Sequence, residues 1–92
     1  MGEVVWDSRK NEQLKLDRGI SFEAVVEAMG AAMIADIYAH PNQKKYPSQL
    51  IAVVWLKGYA HLVPFTERDG VVRLITIIPS RKATRKHFGS RR

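Results

Sequence analysis

The chain contains no cysteine. That excludes a disulfide framework and any thiolate metal site, so the fold must hold itself by packing, and it suits a reducing compartment. Long apolar runs are also missing: nothing approaches the ~20 residues of a membrane-spanning helix. The N-terminus, MGEVVWDSRK, lacks the apolar stretch of a signal peptide. These absences set the expectation of a soluble, cytoplasmic protein with no membrane association. There is no GxSxG elbow, no GxxxxGK[ST] loop and no GxGxxG turn, which weakens hydrolase, nucleotide-binding and dinucleotide readings. The histidines are His40, His61 and His87, without HxxxH or HExxH spacing, so no metal site and no cofactor are expected.

Acidic residues are the other scarcity, with 9 Asp and Glu against 15 Lys and Arg. From Pro79 to Arg92 there are none, while Arg81, Lys82, Arg85, Lys86, Arg91 and Arg92 supply the whole net charge of +6. A polyanion is expected to meet the protein there. A charge run is often only a solvated tail. Here the cations are interleaved with Ala83, Thr84, His87 and Phe88, and Arg81 and Arg85 are spaced to share one helix face. Arginine's planar fork matches a phosphate bidentately, which favours nucleic-acid contact.

What remains reads as one small domain, residues 1–92, with 46% hydrophobic residues and residues 80–92 as a basic C-terminal segment. Val4 to Trp6 is a short strand or apolar lead-in. Asp7 then suits the cap of a largely polar helix that ends at Gly19, with Leu14 and Leu16 as its anchors. Ser21 caps a second helix in which Phe22, Val25, Val26 and Met29 share a face, and Gly30 is placed to stop it. Met33 to Tyr38 reads as a strand, and His40 to Ser48 (HPNQKKYPS) as a loop. Gln49 to Leu56 is apolar on both faces, as a covered central strand would be.

Lys57-Gly58 turns the chain into a strand over Tyr59 to Thr66, in which Pro64 needs a bulge or an unpaired position. Asp69-Gly70 marks the next hairpin, Val71 to Ile78 the last strand, and Pro79 its stop. Ser80 then caps a short helix through about Phe88, with Gly89 as a stop. The pattern predicts an α+β fold: two N-terminal helices packed on one face of an about four-stranded antiparallel sheet, then a short C-terminal helix or basic tail.

Two segments, WDSRKNEQLKLDRGISFE (Trp6 to Glu23) and FTERDGVVRLITIIPSRKATRK (Phe65 to Lys86), resemble the BrnT-type toxins of bacterial type II toxin–antitoxin systems, small ribonucleases of the RelE superfamily. The matching positions include Lys10, Gly19, Glu23, Glu67, Arg68, Ser80, Arg81, Ala83, Thr84 and Arg85. Asp17 and Arg18 stand where these toxins usually carry a Lys-His pair, and His87 where an acidic residue is common. The resemblance implies a RelE-like fold and metal-independent cleavage of RNA that inhibits translation. It also implies neutralisation by a cognate antitoxin, with operator DNA engaged only through the antitoxin complex. A non-catalytic nucleic-acid-binding or regulatory module on the same fold is the alternative.

For ribose 2′-hydroxyl attack on the adjacent phosphate, Arg81 and Arg85 are the candidates for charge stabilisation and Glu67 or His61 for the base. Lys10, Arg18, Arg68, Lys82 and Lys86 are the candidate RNA contacts. His61 alternates with Tyr59, Val63 and Phe65 on one face of a strand, a pattern whose default reading is a neutral core histidine and whose minority reading is a general acid or base. A straight last strand of about eight residues would put Glu67 and Arg68 ~25 Å from Arg81 and Arg85. His61, nearer the Pro79 end, is then the better partner for the arginines.

Overall fold

The structure is a computed structural model that describes residues 3–88. Its elements are β1 (Glu3–Val5), α1 (Ser8–Arg18), α2 (Phe22–Gly30), β2 (Ile34–Ala39), β3 (Leu50–Leu56), β4 (Tyr59–Arg68), β5 (Val71–Leu74), β6 (Ile78–Pro79) and α3 (Arg81–Phe88). Gly89, expected to stop α3, and the arginines after it lie outside the described residues.

Local chemistry sets both ends of α1. The Asp7 carboxylate accepts the Arg9 N–H at 2.8 Å and the Lys10 N–H at 3.3 Å, satisfying donors that have no partner inside the helix. Gly19 ends it in the left-handed region at φ 65°, its N–H donating to the Lys15 carbonyl at 3.0 Å. Leu14 is buried but Leu16, expected to anchor with it, is 88% exposed: residues two apart on a helix do not share a face. The second anchor is the buried Asn11. Its Oδ1 accepts the Phe22 N–H at 2.8 Å and its Nδ2 donates to Glu23 at 2.8 Å, which ties α1 to the start of α2.

Ser21 caps α2 by accepting the Ala24 N–H at 3.1 Å. Phe22, Val25 and Ala28 are its buried stripe.

The strand order is β1-β5-β4-β3-β2, with β6 paired to β4 beyond the end of β5. Neighbours from β2 to β5 are antiparallel, but β1 runs parallel to β5, Glu3 facing Val71 and Val5 facing Arg73. The sheet is therefore mixed rather than purely antiparallel. Both helices and the meander intervene between β1 and β5, and only such a long connection lets two strands lie parallel.

Helix placement also differs from the expectation of one covered face. On one side Ala52, Val54, Leu56, Val63, Phe65 and Leu74 pack with Leu14, Phe22 and Val25 of α1 and α2. On the other, Val53 and Ala60 pack with Ala83 of α3, with Trp55 and Leu62 against them. This is the reason β3 is apolar throughout: each of its faces meets a helix.

Lys57-Gly58 and Asp69-Gly70 both make tight turns with positive φ at each central residue (53° and 75°, 53° and 80°). Those angles match the right-handed twist of the hairpins they close. Pro64 limits how far β4 and β5 stay paired. The Ile75 N–H donates to the Pro64 carbonyl at 2.9 Å, but proline has no N–H with which to return the bond, and β5 has already ended at Leu74. The chain loops through residues 75–77 and rejoins β4 as β6, with Ile78 opposite Leu62 and Pro79 opposite His61.

Candidate functional site

The return of the chain to β4 places α3. The Ser80 N–H donates to the Ala60 carbonyl at 3.0 Å. The Ala60 N–H in turn donates to Thr84 Oγ1 at 2.9 Å, and that hydroxyl donates to the Ser80 carbonyl at 2.8 Å. Ser80 Oγ caps the helix by accepting the Ala83 N–H at 3.0 Å. Ser80, Ala83 and Thr84 are thus spent on fastening the helix. Arg81, Lys82, Arg85 and Lys86 are left exposed.

They divide between two flanks, because residues one apart are ~100° apart around a helix. Lys82 and Lys86 line a groove of about 250 Å³ with Asp36 and Tyr38 of β2. Arg81 and Arg85, about 100° around the helix from these lysines, are exposed and do not line that groove. Among the described residues, only Lys15 forms ion pairs, with Glu12 and Glu23, so no carboxylate competes for these arginines.

The single last strand expected over Val71 to Ile78 is broken after Leu74, and it is the return of the chain as β6 that sets Pro79 opposite His61, whose side chain shares the α1–α2 side of β4 with Val63 and Phe65. Ala60, its neighbour, faces α3. The histidine and the α3 arginines therefore border the β6 edge from opposite faces of the sheet. His61 is 6% exposed, and its Nδ1 lies 2.9 Å from the Tyr59 carbonyl. An oxygen there selects the tautomer with the proton on Nδ1. Burial lowers its pKa; the Tyr59 hydrogen bond opposes this, and the positive charge of Arg18 adds to the lowering. Glu67 and Arg68 are at the other end of β4, opposite Val72 and Val71. They stand roughly 20 Å along the strand from His61, so they are not brought together with α3.

Residues 6–87 match the family model for the ribonuclease toxin BrnT of type II toxin–antitoxin systems. The chain belongs to the BrnT family. The match runs from the residue before the Asp7 cap to the last turn of α3, so it covers both helical layers and every strand between them except β1. Membership makes this a type II toxin of a ribonuclease family, and it implies an antitoxin partner. Comparison with curated proteins and with solved structures finds no significant match to either.

In this BrnT chain Lys10 and Arg18 meet at one place, a notch of about 170 Å³ between α1 and the loop after β5, lined also by Gln13, Asp17 and Thr76. Arg18 Nη1 donates to the Ile77 carbonyl at 2.9 Å, which fixes the guanidinium beside the loop. No three His, Asp or Glu side chains converge as a metal site among the described residues. Sequence reasoning missed Asp17 and Thr76 as neighbours of Lys10, and Asp36 and Tyr38 as neighbours of the α3 lysines. Thr76 reaches Lys10, and Asp36 and Tyr38 reach the α3 lysines, only by folding, whereas Asp17 shares the helix face of Lys10 through its i, i+7 spacing. Asn11 was missed for another reason: a buried amide inside a polar helix looks like every other polar residue of that helix.

Proposed function

We propose that this BrnT family member is a metal-independent endoribonuclease that arrests translation by cutting RNA. The observation that carries the reading is the exposed Arg81–Arg85 pair on a helix locked to β4 through Ser80 and Thr84, with no acidic neighbour in ion-pair range among the described residues. Such a pair is preorganised to take the charge that develops on a phosphorane, and a fixed cation does so without reorganising during the reaction.

The ribose 2′-hydroxyl gives its proton to the base and attacks the adjacent phosphorus, the bond to the 5′-oxygen breaks as that oxygen takes a proton from solvent, and the products carry a 2′,3′-cyclic phosphate and a 5′-hydroxyl. His61 is the base of choice. Its lowered pKa keeps the ring neutral and its Nδ1 is engaged by Tyr59, so Nε2 is the nitrogen available for the proton. Glu67 is too far along β4 to serve the same phosphate directly. Lys10, Arg18, Lys82 and Lys86 hold the flanking RNA, and Arg68 serves only a strand long enough to reach the other sheet end. Residues 1–92 act as one domain in the cytoplasm, RelE-like in fold. The antitoxin covers the cationic surface, and operator DNA is met only through the antitoxin complex.

The test is incubation of the purified protein with total RNA in EDTA. Cleavage with cyclic phosphate ends is expected, and Arg81→Ala with Arg85→Ala should slow it by about a hundredfold or more while the urea midpoint stays unchanged. Wild-type rates from the folded double variant would remove the catalytic reading. Salt-sensitive binding with no cleavage would make the protein a nucleic-acid-binding module instead.

A further inference from the structure

The notch between α1 and the loop after β5 has chemistry that a phosphate site does not need. Lys10, Gln13 and Asp17 are spaced i, i+3 and i+7 along α1 and so share one face, with Leu14 beneath them and Thr76 across from them. None of the Lys10, Gln13, Asp17 or Thr76 side chains has a hydrogen-bond or ion-pair partner among the described residues. Only Arg18 is engaged, at the Ile77 carbonyl. Asp17 is also badly placed for stability. It lies in the last turn of α1, at the negative end of the helix dipole, where a carboxylate is disfavoured. A phosphate offers acceptors only, and Asp17 is itself an acceptor, so the notch does not suit a bare phosphate.

A nucleobase edge, which mixes donors and acceptors, does suit it. At about 170 Å³ the space is below the ~300 Å³ at which pockets for drug-sized ligands begin, which limits it to a group such as one base. Of the bases, guanine alone sets two donors side by side on its Watson–Crick edge, N1–H and the N2 amine, matched to the two oxygens of one carboxylate. The neighbouring O6 is an acceptor for an ammonium. Single-stranded RNA is read on these edges, with guanidinium planes among the surfaces on which bases stack.

We propose that the notch is a specificity pocket for an unpaired guanine of the RNA substrate, with Asp17 accepting from N1–H and the N2 amine, Lys10 donating to O6, and the anchored Arg18 guanidinium as the stacking surface. It rests on the ribonuclease reading, and it places the guanine beside the β6 edge that the cleaved phosphate would cross.

The probe is a fluorescent 2′-O-methyl oligouridylate carrying one central guanine, adenine or inosine, which binds without being cut. Fluorescence anisotropy should show the guanine strand bound about tenfold or more tighter than the adenine strand, with inosine, which lacks the N2 amine, between them. Asp17→Ala puts the best helix former at an exposed position, so the fold is retained. It should bring the guanine and adenine strands within about twofold of each other. Equal binding of both strands by wild-type protein that still cuts total RNA overturns the pocket and leaves the ribonuclease reading standing. A preference that survives Asp17→Ala overturns it too. Failure of the wild type to bind or cut any RNA overturns both readings.

Discussion

His61 shows how one residue's environment becomes a measurable pH dependence. Its pKa lies below the usual 6.5, chiefly because burial penalises the imidazolium. Above about pH 6.5 both folded and unfolded chains carry the neutral ring, and its contribution to stability is fully present. As the pH falls through 6.5 the unfolded chain binds a proton that the folded chain refuses, so stability drops until the lowered folded value is passed. Urea midpoints measured at about pH 7.5 and about pH 5.5 should therefore fall further for the wild type than for His61→Gln, whose amide does not titrate. Equal drops would mean that His61 is not the group responsible.

At the scale of elements, one hydroxyl makes two of the bonds that fasten α3 to β4 and close its first turn. Thr84 Oγ1 accepts the N–H of Ala60, a residue with no exposed surface, and donates to the Ser80 carbonyl. Thr84→Val keeps the shape but strands that N–H without a partner, a cost of about 1–3 kcal/mol. Hydrogen exchange should find the Ala60 amide and the first turn of α3 losing protection first, with Thr84→Ser restoring it. A Thr84→Val protein with unchanged Ala60 protection would show that Ala83 packing alone holds the helix. Pro64 acts at the same scale: by withholding one ladder bond it ends the β4–β5 pairing, and the detour through residues 75–77 brings β6 and α3 back onto β4.

For the whole molecule the governing quantity is charge. The net +6 is the excess of 15 basic over 9 acidic residues, and all of it stems from the segment after Ile78. Association with single-stranded RNA should weaken with salt by a slope of about −0.7 in log K per log salt for each phosphate contacted. Removing Arg81 and Arg85 together should flatten that slope by about 1.4 if each meets one phosphate. Titrations between low and moderate salt measure this directly. An unchanged slope would place the phosphate contacts elsewhere on the protein, with Lys82 and Lys86 of α3 as the next to test. No helix among the described residues is long and apolar enough to cross a membrane.

Much of this protein is determined by the order of its residues alone. Asp7 and Ser21 cap the two N-terminal helices, Lys57-Gly58 and Asp69-Gly70 turn the hairpins, Ser80 starts α3, and the basic tail has no acidic residue to balance it. Each of these acts within a few residues, through a side chain reaching its own backbone or a glycine accepting a positive φ, so each is legible in sequence. The BrnT resemblance was legible too, since it rests on motifs in order. Folding decided the rest. The parallel pairing of β1 with β5, the passage of α3 to the opposite face of the sheet, the burial of Asn11 and the exposure of Leu16 depend on which surfaces meet. The candidate site divides in the same way. The arginine pair is a spacing on one helix, whereas His61 facing Arg18 and Asp17 facing Thr76 are encounters across the fold, for which no local pattern exists.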